Sequence, residues 1–142
     1  NTVRGVQNIM MVMVLGGVFD RHPDLRMICV EADAGWLPHF KFRLDHAYER
    51  HRHHLSTTEL QRMPSEYVDE NVYVTFQDDY SVKHIKGGLE VSRVVVATDV
   101  PHVDGTYPYT GELIEQVTEG LSERDRNGIL RDNAAALDGI SL

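Results

Sequence analysis

Three short apolar segments, each followed by a helical pattern, constrain the fold of this 142-residue chain more than any other feature. The segments are residues 26–31, 72–76 and 93–97, and the last two are rich in the β-branched and aromatic residues that strands prefer. Between them, apolar residues recur at three- and four-residue steps, which is typical of amphipathic helices. Strands that alternate with helices predict parallel pairing through right-handed crossovers. The sequence therefore predicts an α/β fold.

Capping and turn residues place the helices between these strands. We expect helices over approximately residues 5–20, 37–53, 64–70, 80–86, 110–119 and 122–131, with a last turn from residue 133. Asp79 and Thr110 are expected to cap the fourth and fifth of these helices, and Ser122 the sixth. Residues 56–63 are expected to form a connecting loop or a single turn.

The burial expected for these elements follows from their apolar patterns. The second helix should pack inward through Leu44, Tyr48 and His51, and Cys29 should lie in the core. The first strand is short and mostly apolar, which predicts burial on both faces. Three parallel strands leave two edges without hydrogen-bond partners, so we expect the chain to associate as a homo-oligomer.

Composition excludes several classes of partner. The chain has 14 basic and 22 acidic residues and a formal charge of -8, which argues against a nucleic-acid-binding surface. Its longest apolar run, residues 9–15, is far shorter than the roughly 20 residues that cross a bilayer, so no membrane partner is expected. The single cysteine cannot form an intramolecular disulfide and no secretion leader is visible, so we expect a cytoplasmic protein.

Polar residues that follow the third strand are the first candidates for chemistry, because ligands of α/β proteins bind where strands end. Asp99 comes directly after this strand, and its carboxylate can bind a metal or accept a proton. The alternative is that Asp99 caps the loop by accepting backbone N–H groups, which is common for aspartate in turns. The same two interpretations apply to His102 and Asp104.

The end of the first strand supplies a second set of candidates. Glu31 and Asp33 follow this strand at the corresponding edge of the sheet. Trp36 then stands at the start of a helix, where it forms a pocket wall or packs as the first core residue of that helix. Residues 77–79, which follow the second strand, are most simply interpreted as a helix cap.

The histidines at positions 51, 53 and 54 are not predicted to form a native metal site. His51 and His53 are two residues apart and point to different sides of a helix, whereas His51 and His54 share a face. Histidines in the last turn of a helix are favoured by the helix dipole and stay solvated, which explains them without a ligand role.

Four stretches of the chain resemble a known family. They are residues 17–26 (GVFDRHPDLR), 35–38 (GWLP), 63–67 (MPSEY) and 97–102 (ATDVPH), followed by Asp104, Gly105 and Pro108. Together and in this order, they are similar to the amidohydrolase-related metal-dependent hydrolases, which include the aminocarboxymuconate-semialdehyde decarboxylase-like enzymes. The resemblance runs almost from end to end.

The resemblance implies the C-terminal part of a (β/α)₈ TIM barrel, with the three strands as the sixth, seventh and eighth. Residues 1–142 would then be a single segment of one barrel domain, which as a whole needs about 250 residues. The family keeps a His-x-His pair on the first strand and another histidine ligand on the fifth, and neither strand is in this sequence. We therefore expect this segment alone to be inactive.

The resemblance also implies an activity for the intact barrel. That activity is metal-dependent hydrolysis of a small carboxylate, amide or lactone by a water molecule that a divalent metal activates, with zinc as the expected ion and manganese as the alternative. A metal-dependent carboxy-lyase (decarboxylase) is a second reading. A third is a non-catalytic, truncated homologue that self-associates.

By resemblance, Asp99 matches the eighth-strand aspartate that ligates the metal or handles the proton of the water. The decarboxylases carry a catalytic histidine after the sixth strand, where this sequence has Ala32, with Glu31 beside it. Glu31 is predicted to act as a catalytic acid or base, and the alternative is a structural acid at the rim. His102 and Trp36 are predicted to bind substrate.

Overall fold

A computed structural model describes residues 2–54, 59–84 and 87–141, and its centre is a three-stranded parallel sheet. The strands are β1 (Met27–Cys29), β2 (Val72–Phe76) and β3 (Val94–Val96), in that spatial order. Cys29 is in register with Val74, which is in register with Val94. The predicted α/β order of parallel strands joined by helical crossovers is confirmed.

Seven α-helices surround the sheet in the described part of the chain. They are α1 (Thr2–Leu15), α2 (Val18–Arg21), α3 (Leu37–His51), α4 (Pro64–Asn71), α5 (Thr110–Val117), α6 (Glu123–Asn127) and α7 (Asn133–Asp138). Two short 3₁₀ helices, Tyr80–His84 and Val91–Arg93, precede β3, and a π-helical turn, Gly128–Asp132, joins α6 to α7. The expected helix over 80–86 is thus a 3₁₀ helix whose last two predicted residues lie outside the described ranges.

The first predicted helix is divided in two. It begins earlier than expected and ends at Leu15, because Gly17 takes a left-handed conformation (φ 65°) before α2 starts. The second predicted helix ends two residues early, at His51. Leu44 and Tyr48 are buried as predicted, but His51 is exposed, so its predicted inward position is wrong. Of the expected connection 56–63, residues 56–58 lie outside the described part.

Two predicted caps have different outcomes. The Ser122 hydroxyl accepts the backbone N–H of Asp125 at 3.1 Å, which confirms this cap. Thr110 is not a cap, because it is the first helical residue of α5 and its hydroxyl shares a hydrogen bond with the hydroxyl of Thr106. The loop before α5 therefore connects to the helix through the Thr106 and Thr110 hydroxyls, and also through the backbone N–H of Tyr109, which donates to the Thr106 carbonyl at 2.9 Å.

Two buried asparagines fix the amino ends of the strands. The side-chain amide of Asn71 donates to the carbonyl oxygens of Pro23 and Leu25, both at 2.9 Å, and so ties the chain before β1 to the start of β2. The amide of Asn133 donates to the carbonyls of Val91 and Val94, both at 2.8 Å, at the start of β3. Each asparagine satisfies two backbone acceptors that burial would otherwise leave unpaired.

The first strand is less buried than its composition predicts. Cys29 is in the core as expected, but Ile28 is 47% exposed, so the expected burial of this strand on both faces is wrong. The reason is that β1 is an edge strand in the described sheet, so its side chains have a neighbouring strand on one side only. No helix within the described ranges is both long and apolar enough to cross a membrane.

We expect the 142-residue chain to self-associate, because apolar side chains are exposed on α1 and along β1. Ile9 is 58% and Val12 is 67% exposed on α1, and Ile28 and Val30 are exposed on or beside the edge strand. Sedimentation velocity at micromolar concentration should show dimers or larger species, and Val12→Glu should shift them toward monomer. A cooperatively unfolding monomer of the unmodified chain would contradict this expectation.

Candidate metal and active site

The carboxyl ends of the three strands open into a cavity of about 310 Å³. Five acidic residues line it, and among the described residues no lysine or arginine does. They are Glu31, Asp33, Asp78, Asp99 and Asp104. Sheet register explains the convergence, since parallel strands end at the same edge. The cavity is therefore a region of negative potential that favours a cation and disfavours polyanions such as nucleic acid.

Glu31, Asp99 and His102 come together at this edge. One ligand atom from each of these residues lies within 4.8 Å of the other two. The Asp99 side chain is 12% exposed and lines the cavity, whereas the His102 side chain is 67% exposed and reaches the cluster through its contact with Asp99. The structure thus places three of the four predicted site residues in one cluster.

The backbone at two of these residues is unusual. Glu31 and Asp99 take left-handed conformations, with φ of 55° and 53°, and so does Asp33 with φ of 56°. Such conformations cost about 1 kcal/mol or more for residues with a Cβ and cluster at functional sites. Here they turn the chain sharply after β1 and β3, which brings carboxylates from non-adjacent strands toward one point.

The carboxylate of Asp99 holds the His102 ring. Asp99 Oδ1 and His102 Nδ1 are 2.6 Å apart. This hydrogen bond and the negative charge of Asp99 raise the pKa of His102, and the charge of Glu31 contributes in the same direction. The Asp99 carboxylate accepts no backbone N–H from the described residues, so the capping interpretation of Asp99 has no support in these contacts.

Asp33 faces the same cavity from the loop after β1. Burial raises the pKa of its carboxyl group, and the nearby charge of Asp79 raises it further. The charges of Asp78 and Asp104 act in the same direction. The raised pKa of Asp33 is the expected response of a carboxyl group that is crowded by like charges at one rim.

Trp36 lies behind the cavity and does not line it. Its indole N–H donates to the carbonyl oxygens of Ala32 and Asp33, at 2.6 and 3.0 Å, and its ring packs edge-on against Phe40. These contacts brace the loop that carries Glu31. The structure therefore does not bring Trp36 together with the other three candidates, and its role in substrate binding stays a prediction.

Asp79 has contacts that the sequence did not reveal. As predicted, it caps the helical turn after β2, because its Oδ1 accepts the backbone N–H of Ser81 at 3.1 Å. Its other oxygen accepts the backbone N–H groups of Ala34 and Gly35, in the loop after β1. A small residue at position 35 is the one sequence signal for this contact, but it does not identify the partner.

The donor set of the cluster suits a divalent cation. Two carboxylates and one imidazole are ligands that both manganese and zinc accept. Within the described ranges, this is the one group of three such side chains close enough to share an ion. Among the described residues, His51, His53 and His54 belong to no such group, and their lack of a native metal role stays a prediction.

The chain is similar to a known protein family and to many solved structures. A profile of a family described as amidohydrolase matches residues 7–139. Among curated proteins, none is significantly similar to this sequence. Many solved structures share the fold.

Three solved structures illustrate the likeness. A 5-carboxyvanillate decarboxylase from Sphingomonas paucimobilis has a TM-score of 0.76 and 23% identity over 92% of this chain and 38% of its own. An amidohydrolase from Mycobacterium avium subsp. paratuberculosis has a TM-score of 0.81 and 24% identity over 98% and 34%. A dihydroxybenzoic acid decarboxylase from a Polaromonas species, solved with manganese and 2-nitroresorcinol, has a TM-score of 0.67 and 24% identity over 92% and 39%.

These likenesses identify the described sheet and helices as part of a TIM barrel, which confirms the predicted fold class. The chain spans 34% to 39% of the length of the three structures. The carboxyl ends of barrel strands are where active sites of this fold lie, which is the edge that carries Glu31, Asp99 and His102.

The contact between Asp99 and His102 predicts a pH response. In a proton NMR titration without metal, His102 should titrate above the ordinary histidine value, because Asp99 stabilises the imidazolium. Asp99→Asn should return it toward the ordinary value. Because the folded-state pKa is raised, the pair stabilises the fold at low pH, and this contribution is lost as pH rises through the pKa of His102.

Assignment of the resonance uses His102→Gln as the matched variant, since the chain has eight histidines. An unchanged His102 titration in Asp99→Asn would show that the two side chains do not interact in solution.

Proposed function

Because the chain belongs to the amidohydrolase family, we propose that Glu31 and Asp99, with His102 beside them, form part of a site that uses a divalent metal to decarboxylate a small carboxylate substrate. The observation that carries this proposal is the cluster itself, in which two carboxylates and an imidazole converge at the carboxyl ends of barrel strands. The other ligands that the family resemblance implies belong to strands outside residues 1–142. These residues act, in this proposal, as one segment of a barrel domain.

Solved neighbours support decarboxylation over the hydrolysis that the resemblance alone suggested. Decarboxylases of 5-carboxyvanillate and of dihydroxybenzoates are among them, and three of these structures carry manganese together with a nitro-substituted aromatic compound. We therefore favour manganese over zinc as the ion, and a hydroxylated aromatic carboxylate as the substrate class. Glu31 and Asp99 would hold the ion, and an acidic cavity without described cationic residues fits this task.

A divalent cation bound there supplies Lewis-acid polarisation of a substrate oxygen and lowers the pKa of a nearby water molecule. In this proposal, a residue of this chain supplies the proton that the reaction requires. Decarboxylation breaks a carbon–carbon bond, releases CO₂ and leaves a carbon that must receive a proton. His102 contacts Asp99, which lines the cavity, and Asp99 keeps the imidazole ring oriented and more readily protonated. His102 is thus the proposed proton donor.

Hydrolysis of an amide or lactone is the second candidate, and one observation favours it. Glu31 stands beside the position where the resemblance places the decarboxylase histidine, and that position is Ala32 here. A glutamate at this point can accept a proton from an attacking water molecule, which a hydrolase requires. The amidohydrolase neighbour from Mycobacterium, with a TM-score of 0.81, is in keeping with this reading.

Three further properties are proposals. A homo-oligomer would cover the exposed apolar residues of α1 and β1, and Val12 and Ile28 are the side chains to test. The cytoplasmic location follows only from the sequence and has no test in the structure. A small molecule is the proposed partner, since the cavity is too small and too acidic for a nucleic acid.

The test of the proposed site is Asp99→Asn, which keeps the size of the side chain and removes its charge. In the 142-residue chain, calorimetric titration with Mn²⁺ should show binding that weakens at least tenfold in the variant, because a charged ligand is lost. With residues 1–142 set in a complete barrel, turnover should fall by about a hundredfold or more. Asp138→Asn, at the distant end of α7, makes the same charge change and should affect neither.

Product analysis separates the two reactions. Release of CO₂ from 2,6-dihydroxybenzoate or a related hydroxylated benzoate supports decarboxylation, and turnover of amides or lactones without CO₂ supports hydrolysis. Absence of Mn²⁺ binding by the unmodified chain, or near-normal turnover of Asp99→Asn with an unchanged melting temperature, would contradict the proposed site. The non-catalytic alternative would then account better for the chain.

A further inference from the structure

The geometry points to Asp79 as the positioning residue for Glu31, a role that rests on the proposed metal site. Asp79 follows β2 and does not contact the proposed ion ligands. Its carboxylate instead connects the loop after β2 to the loop after β1, which carries Glu31. We define residues 31–36 as the Glu31 loop.

The two oxygens of Asp79 have separate partners. Oδ2 accepts the backbone N–H of Gly35 at 2.6 Å and that of Ala34 at 3.2 Å. Oδ1 accepts the backbone N–H of Ser81 at 3.1 Å and also the Ser81 hydroxyl. A helix-capping role needs only the second set. The first set joins residues 44 and 45 positions apart, and hydrogen bonds to a charged acceptor are about twice as strong as neutral ones.

The close approach depends on the absence of a side chain at Gly35. A Cβ at this position would lie 1.8 Å from the Ser81 hydroxyl oxygen and 2.8 Å from Asp79 Oδ2. Any residue other than glycine would therefore displace the Ser81 hydroxyl, the Asp79 carboxylate or the Glu31 loop from this arrangement. The absence of a side chain at position 35 thus leaves room for the Asp79 carboxylate to accept two successive backbone N–H groups.

Several hydrogen bonds hold the Glu31 loop in place, and Asp79 accepts two of them. At one end, the backbone N–H of Glu31 donates to the hydroxyl of Thr75 at 3.3 Å. In the middle, the Trp36 indole binds two carbonyl oxygens of the same loop, so it stiffens the loop without anchoring it elsewhere. Thr75, Asp79 and a hydrogen bond between the Asp33 carboxylate and the backbone of Gln77 link the Glu31 loop to the end of β2 in the described structure, and the Thr75 bond is long.

The hydrogen bonds from Asp79 matter because the Glu31 loop contains left-handed conformations. Glu31 and Asp33 both have positive φ, which is unfavourable unless surrounding contacts hold the chain. Without Asp79, the loop can relax to ordinary conformations and carry the Glu31 carboxylate away from Asp99. Loss of the anchor should therefore weaken metal binding through Glu31, as hydrogen-bonding partners of metal ligands commonly do by 10- to 100-fold.

Three variants test this role. Asp79→Ala removes both sets of bonds, and Asp79→Asn keeps a single acceptor oxygen and should have a smaller effect. Asp45→Asn is the control, because Asp45 also accepts a backbone N–H from a distant part of the chain, that of Ser65 in the first turn of α4 at 2.8 Å, and does not line the cavity. Mn²⁺ affinity should fall about tenfold or more in Asp79→Ala and stay unchanged in Asp45→Asn, even where both lower the melting temperature.

A double-mutant cycle shows whether the effect passes through Glu31. In a Glu31→Gln background, Asp79→Ala should change Mn²⁺ affinity by less than twofold, because the ligand that Asp79 positions is already lost. Additive losses in the double variant would overturn the positioning role. So would an Mn²⁺ affinity of Asp79→Ala within twofold of the unmodified chain.

Hydrogen exchange of the metal-free chain separates this inference from the proposed function. The amides of Ala34 and Gly35 should be protected in the unmodified chain and in Asp45→Asn, and should exchange rapidly in Asp79→Ala. If the unmodified chain binds no Mn²⁺, the proposed function fails, and exchange alone decides whether Asp79 holds the loop. Unchanged protection of both amides in Asp79→Ala would overturn it.

Discussion

The pairing of β2 with both of its neighbours is the constraint on which the rest of the described structure depends. Val74 is fully buried and stands in register with Cys29 on one side and Val94 on the other. This register sets how far each flanking strand extends beyond β2. Glu31 and Asp99 are consequently delivered to the same edge, although 68 positions separate them in the chain. A one-residue slip of either strand would turn its side chains to the opposite face and disperse the site.

The sequence predicts the strands and the main candidates well because both depend on local chemistry. The segment 72–76 is a strand at the predicted bounds, since β-branched residues are enclosed there by helix and turn signals. Asp99, Glu31 and His102 could be found because they follow predicted strands. The exposure of Ile28 could not be foreseen, since burial of a strand depends on neighbours that its own residues do not specify.

The role of Asp79 shows a second limit of local patterns. Its neighbours in sequence indicate a cap, and the structure confirms that cap at Ser81. The additional bonds to Ala34 and Gly35 depend on two loops that meet only after the sheet has formed. His51 illustrates the reverse case. Helical spacing alone predicted that its side chain faces inward, but His51 is the last residue of α3 and is exposed. Contacts between residues that are far apart in the sequence could thus not be predicted from local patterns.

The asparagines that fix the amino ends of the strands divide the molecule into two ends with different tolerances to substitution. Asn71 and Asn133 donate to backbone carbonyls from buried positions, so their replacement removes the donors of four hydrogen bonds at the amino ends of the strands. At the opposite end, loops carry exposed polar side chains whose replacement alters chemistry before it alters packing. Evolution can therefore vary the reaction of such a scaffold at one end while the other keeps the strands in place.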